Sequence, residues 1–213
     1  MGTPAAGAGV WLDQGSRHAK QVAPTPVSSP LEQMVESLAR RKATVEVASS
    51  GDAGRAAAVW MADQGIVRAV LADDPVVDAI GLEPALRAAG IDVLRWPVAM
   101  GRREVLGLEG PEDVCGVTVP TLAVAERGTL VLEASVGHGR GLDVTNRHHV
   151  SLLMADRVVE TLGEALAQTF ADARPVPSAV SLVSGPSRSS DIEKISTLGA
   201  HGALTEHVVI ITP

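Results

Sequence analysis

Apolar positions along this chain alternate between two periods. Behind Ser29-Pro30, a capping residue followed by a proline suited to the first helical turn, Leu31, Met34, Val35 and Leu38 recur at helical spacing. A short β-prone run follows, Thr44-Val-Glu-Val-Ala48, then an alanine-rich helical stretch to about Gln64, where Gly65 stops it. Val67 to Leu71 reads as a second strand, Val76 to Ala89 as a helix ended by Gly90, and Ile91 to Leu94 as a third strand. Strands alternating with helices predict right-handed crossovers and a parallel sheet covered on both faces.

The middle of the chain changes character. Val117-Thr-Val-Pro120 and Leu122-Ala-Val-Ala125 lead through Glu126-Arg127-Gly128 into Thr129-Leu-Val-Leu-Glu-Ala134, two apolar runs around a glycine-bearing turn, which predicts a β-hairpin. A Gly-rich loop, Gly137-His-Gly-Arg-Gly141, precedes a strand near Val150–Met154 and a helix with Val159, Leu162, Leu166 and Phe170 on one face. The end returns to the first pattern: strand Ala179–Val183, loop Ser184–Ser190, a short helix from Asp191, and a last strand His207–Ile211. The expected fold class is α/β, a mainly parallel sheet flanked by helices with an inserted β-hairpin. Residues 1–29, rich in Gly, Ala, Pro and Ser, read as a flexible tail, and 30–213 as a single domain.

Composition narrows the partners. With 2% aromatic residues and no Tyr, the core is aliphatic, and platforms for stacking nucleic-acid bases are excluded. The formal charge of −7 also disfavours a polyanion and leaves room only for a local basic site. One cysteine, Cys115, supports neither a disulfide framework nor an iron–sulfur cluster, which needs about four thiolates. No apolar run reaches the ~18 residues of a membrane span and no secretory leader is visible, so the expectation is a cytoplasmic protein.

Two segments carry chemistry. Ser184-Gly-Pro-Ser-Arg-Ser-Ser-Asp-Ile-Glu193 leads from a strand into hydroxyl-bearing residues and then a helix with Ser190 and Glu193 at capping-box spacing. Free N–H groups there, with Ser187, Arg188, Ser189 and Ser190, suit a carboxylate or phosphate; the same residues also suit a well-capped connection with Arg188 in solvent. At the hairpin turn, Glu126 beside Arg127 and Thr129 offers a general base or acyl nucleophile, or an exposed ion pair at a turn.

Five histidines, His138, His148, His149, His201 and His207, lie in the second half, but their spacing matches no metal motif. Adjacent His148 and His149 on a strand would point to opposite faces, so no metal is expected. His201, flanked by glycines at 199 and 202, is placed to meet the Arg188 loop. Gly137–Gly141 is neither a nicotinamide fingerprint nor a P-loop, and Cys115 reads as a structural thiol.

Taken in order, Gly116-Val-Thr, Ala125-Glu126-x-Gly128-Thr129-Leu130, the Arg140 region, His149-Val150, Asp156-Arg-Val-Val159, Ser184-Gly-Pro-Ser-Arg188-x-x-Asp191-Ile-Glu193 and His201-Gly202 resemble the lactate utilisation protein C family, the LUD domain, over about 31–211. The resemblance implies a fold like that of the NagB/RpiA/CoA-transferase superfamily. It implies a component of a system oxidising L-lactate to pyruvate, with iron–sulfur and oxidoreductase proteins as partners and no cofactor on this chain. Glu126, Gly128, Thr129, Arg188, Asp191, Glu193 and His201 fall on the family's motif positions.

This chain departs from the family at Arg127, at Val144-Thr-Asn146 and at Ala203, all bordering the expected pocket. The site expectation is therefore Glu126 and His201 for proton handling, with Thr129 and Ser187–Ser190 holding a small carboxylate. Two alternatives stand beside it: a stand-alone superfamily enzyme acting on a phosphosugar or an acyl or CoA substrate, and a non-catalytic interaction module.

Overall fold

The computed structural model describes residues 29–97, 113–172, 175–190, 196–198 and 202–213. Helix α1 (Pro30–Arg40) opens with a complete capping box between Ser29 and Glu32, as its Ser-Pro start predicts. There follow β1 (Thr44–Ser49), α2 (Ala53–Asp63), β2 (Arg68–Leu71), α3 (Pro75–Ala79), α4 (Leu82–Ala88) and β3 (Asp92–Arg95). The single helix expected over 76–89 is two. Gly81 stands at φ +63° between them, and the Ile80 backbone packs so closely on Gly54 of α2 that a side chain at 54 would collide with it. The missing Cβ of Gly54 thus lets the break between the two helices pack directly on α2.

The remaining elements are β4 (Val114–Thr118), β5 (Leu122–Val124), β6 (Thr129–Glu133), β7 (His148–Met154), β8 (Val158–Val159), α5 (Leu162–Thr169), β9 (Val180–Val183), β10 (Arg188–Ser190), β11 (Ser196–Leu198) and β12 (Thr205–Thr212). Six strands form one all-parallel sheet in the order β1-β12-β7-β4-β2-β3. Its central strands are buried on both faces, which is why β4, β7 and β12 read as nearly unbroken apolar runs. The hairpin β5–β6 is the heart of a second sheet, β8-β5-β6-β9, in which β9 runs antiparallel to β6.

The layers follow from what each face buries. Helices α2, α3 and α4 cover one face of the parallel sheet through Ala57, Met61, Val77, Leu82 and Leu86 against Leu71, Val117, Leu152 and Val209. On the other face, Met34 and Leu38 of α1 and Ala123 and Leu130 of the hairpin meet Leu153, Val208 and Ile210. Helix α5 seals the outer side of the small sheet, where Ala165 packs on Val124 and Val131. Phe170, read from its spacing as part of that apolar face, instead caps α5 and is 48% exposed.

Two expectations about the end of the chain are corrected. Arg188–Ser190 are strand and not loop: they pair antiparallel with Ser196–Leu198 as a two-stranded ribbon. The helix expected from Asp191 does not extend to Ser196, and residues 191–195 lie outside the described residues. The strand before Ser184 pairs antiparallel with β6 in the small sheet, so this loop does not follow the C-terminal end of a parallel strand, the usual place for a ligand. It packs where β1 and β12 begin: Ser187 N–H donates to the Ala203 carbonyl, and Gly185 abuts Arg41.

Candidate functional site

Three separate stretches meet at the C-terminal end of α1. The hairpin tip reaches it through Gly128, at φ +60°, where a Cβ would lie 2.7 Å from Leu38 N and from Ser37 C. The turn after β9 reaches it through Gly185, at φ +90°, where a Cβ would lie 2.6 Å from the Arg41 carbonyl oxygen. Both approaches and both backbone conformations demand glycine. Thr129 and Ser184 tie the two stretches together with a hydroxyl–hydroxyl bond of 2.7 Å. The third stretch is the start of β12, where Ser187 meets Ala203 and lies against Gly202.

A concavity of about 290 Å³ opens on this face, lined by Ser37, Arg40, Arg41, Glu126 and Arg127. Three guanidinium groups thus gather on a chain of net charge −7. Arg40 bridges to Glu36 and donates to Ser37 Oγ, and Arg41 donates to the Arg127 carbonyl. Glu126 turns toward α5: its Oε1 accepts the Leu162 N–H at 3.1 Å, satisfying one of that helix's first amides, and stands 3.9 Å from Arg127 Nε.

The structure therefore brings Glu126, Thr129 and Ser187 to one neighbourhood. It places the backbone of Arg188–Ser190 in the ribbon that follows directly. His201 lies outside the described residues.

A second polar cluster lies inside the protein, between the parallel sheet and the loop of residues 134–147. His149 Nε2 is 2.9 Å from Thr118 Oγ1 and 3.3 Å from Ser151 Oγ, the two hydroxyls being 3.2 Å apart. His149 Nδ1 lies 3.5 Å from Glu206 Oε1. All four side chains are buried, His149 and Glu206 at 1% and 2% exposure. The loop lies over this cluster because Gly116, register partner of His149, leaves room for the Leu142 carbonyl and the Asn146 amide.

In the loop, half-buried His138 and buried Asp143 line a cleft with Arg140 and Ser181 at one edge of the small sheet. The sequence reading named His138 and His149 among five histidines of no metal spacing, and Thr118 and His149 within the family's motifs, but Glu206, Ser151 and Asp143 were missed. These three come from β12, β7 and the loop, and no local motif joins them.

Burial favours the neutral form of the other described histidines, His138, His148 and His207. His148 and His149 do point to opposite sides: His148 Nδ1 bonds Thr205 Oγ1 at 2.8 Å and its Nε2 lies 3.8 Å from Asp113. Burial pushes both His138 and His148 below the ordinary histidine range. His207 stacks on Trp60 with ring centroids 4.5 Å apart and bonds Thr44 at 2.8 Å; burial holds its pKa down to about 4.

That depression sets a pH dependence. Between the unfolded value near 6.5 and about 4, the unfolded chain binds the proton first, so stability is full above pH 6.5 and falls as pH drops toward 4. The loss approaches about 3 kcal/mol, and His207→Phe should flatten that limb of a urea-denaturation series. An unchanged acid limb would show that His207 does not control it.

Cys115 is fully buried and its thiol is pushed up by burial, as expected of a structural cysteine. Among the described residues no group of three or more His, Cys, Asp or Glu side chains is arranged to hold a metal, and no helix is long and apolar enough to cross a membrane.

A six-stranded parallel sheet with helices α2–α4 on one face, and helix α1 with an inserted mixed sheet on the other, defines an α/β protein. The fold matches the crystal structure of a DUF162 family protein from Deinococcus radiodurans with a TM-score of 0.59 at 20% identity, over 86% of this chain and 96% of that one. The LUD domain family matches residues 31–211, and the chain belongs to it. Among curated proteins, it is 28% identical over 147 residues to lactate utilization protein C of Geobacillus sp. strain WCH70, covering 66% of this chain and 60% of that protein. The proteins of the same name from Bacillus licheniformis and Bacillus subtilis strain 168 are 30% and 25% identical over 125 and 150 residues. Those two alignments cover 57% and 67% of this chain, and 51% and 62% of those proteins. The matched stretches thus span between half and two thirds of these relatives.

Proposed function

We propose that this LUD-domain chain serves a lactate-utilising system as the component that holds a small carboxylate, of the lactate or pyruvate class, on the face where the hairpin tip, the Ser184–Ser187 turn and the end of α1 meet. The observation that carries this reading is the convergence of two motif stretches, around Gly128 and Gly185, on a concavity lined by Arg40, Arg41 and Arg127. Guanidinium forks match a carboxylate bidentately, and a concavity near 300 Å³ is at the lower end of small-molecule sites. The names of the curated relatives supply the lactate class.

Arg188, next in sequence to Ser187, is the fourth cation assigned to the site, and Glu126 and His201 are its acid–base groups. The family resemblance assigns electron transfer to iron–sulfur and oxidoreductase partners, and the single cysteine of this sequence, too few for a cluster's ligands, agrees with that.

Titration calorimetry with lactate and with pyruvate tests this. Wild type should bind, and both Arg188→Ala and the pair Arg41→Ala with Arg127→Ala should weaken binding at least about tenfold, roughly 1.4 kcal/mol. Absence of heat from wild type, alone and beside its partner proteins, would remove the carboxylate-binding reading.

A further inference from the structure

Neighbouring strands β2 and β4 send the chain away on opposite faces of the parallel sheet, β2 through α3 and α4 to β3, and β4 through the hairpin to β7. Such a switch leaves a crevice beyond the carboxyl ends of the two strands, the usual place for a ligand in an α/β sheet. The loop of residues 134–147 is fastened there. Asp73, just after β2, donates its N–H to the Gly137 carbonyl. Trp96, just after β3, donates its ring N–H to the Val136 carbonyl and lies against Gly139.

This loop brings His138, Arg140 and Asp143 to the cleft that Ser181 of β9 completes. His138 gives the hydrogen of one ring nitrogen to the Glu133 carbonyl, and burial favours the neutral ring, so Nε2 is left as a bare acceptor. Asp143 is only 4% exposed. Among the described residues, neither His138 Nε2 nor Asp143 Oδ2 has a hydrogen-bond partner, although both atoms are buried. Buried polar atoms of native proteins are nearly always satisfied, so two open acceptors lining one cleft call for a donor from outside.

Space and charge narrow that donor. The cleft holds about 10 Å³, room for one water-sized group. Asp143 and Asp74 bring negative charge to the His138 ring, and the Ser181 hydroxyl adds a third acceptor. An ammonium group matches three acceptors with three N–H bonds, and a carboxyl partner offsets the cost of burying its charge. Arg140 lines the same cleft and is exposed, so its fork is open to an anion on the part of the ligand that stays outside. The remaining walls, Leu132, Ala134 and Ala179, are apolar and leave little room for a long side chain.

We propose that the cleft between the 134–147 loop and β9 binds a small α-amino acid, its ammonium on His138 Nε2, Asp143 and Ser181 and its carboxylate on Arg140. This site is separate from the arginine-lined face, and no residue is common to the two.

Titration of the full chain with L-alanine at neutral pH tests it. Calorimetry should show one alanine bound per chain. Arg140→Ala and Asp143→Asn should each weaken it at least about tenfold, while the pair Arg41→Ala with Arg127→Ala leaves it unchanged. L-lactate and pyruvate, which carry a hydroxyl or a carbonyl where alanine carries its ammonium, should not displace it. In NMR of protein with nitrogen-labelled histidines, alanine should move the His138 Nε2 signal, identified by its loss in His138→Gln.

No heat from alanine together with an unmoved His138 signal overturns the proposal and leaves the cleft to a single water. An equal shift with ammonium chloride makes it a simple cation site and overturns the amino-acid reading. Displacement of alanine by lactate or pyruvate also overturns it, because the ammonium then decides nothing. Alanine binding by a wild type that binds neither lactate nor pyruvate sustains this site and removes the carboxylate reading above. Asp143→Asn is nearly isosteric and the wild-type NMR needs no substitution beyond the one that assigns the signal, so a variant that fails to fold does not close the test.

Discussion

Gly116→Ala is expected to lower stability by roughly 3 kcal/mol or more, the range of an overpacked core position that cannot relax. A Cβ at 116 runs into the Leu142 carbonyl and comes within 2.7 Å of the Asn146 amide nitrogen. Neither obstacle is the free end of a flexible side chain. Leu142 packs with Val70, Ala72 and Val114, and Asn146 donates back to the Leu142 carbonyl, so the whole loop must lift off β4. Lifting it would also let water reach His149, which faces Gly116 across the sheet. Urea unfolding of the two proteins measures the effect, and a difference below about 1 kcal/mol would mean that the loop yields cheaply.

Gly128→Ala is expected to be nearly as damaging and to act on binding as well. At φ +60° a Cβ is strained on its own account, and this one would press on the Ser37 and Leu38 backbone. Together these effects should cost about 2–3 kcal/mol. Because the hairpin tip carries Glu126 and Arg127 to the end of α1, the same variant should weaken acid binding at least tenfold even at temperatures where it remains folded. Circular dichroism melts paired with calorimetry separate the two effects. Wild-type affinity in a destabilised but folded variant would show that the tip does not shape the site.

The alternation of helix and strand was legible because a parallel sheet buried on both faces leaves mostly aliphatic runs between amphipathic helices, as in Ala69–Leu71 of β2 and Val208–Ile211 of β12. The hairpin was legible because its turn needs a left-handed residue, and Gly128 supplies it. The short Arg188–Ser190 and Ser196–Leu198 strands were not. Their pairing joins two three-residue runs across a break in sequence, a relation that no local spacing reports. The split between α3 and α4 was missed although Gly81 marks it, because a glycine inside a helical pattern is ambiguous until its positive φ is seen.

The site divides along the same line. Glu126, Thr129 and Ser187 could be named from their neighbours in sequence, because turns and strand ends draw their chemistry from adjacent residues. The strand periods and glycine punctuation of the chain were sufficient to specify an α/β sheet with an inserted hairpin, since those signals are local. That Glu206 stands opposite His149, and that three arginines gather beside the hairpin tip, followed from sheet order and from close glycine contacts between distant segments. Such relations arise only when the chain folds back on itself, for a residue's spacing in sequence says nothing of which strand will lie beside it.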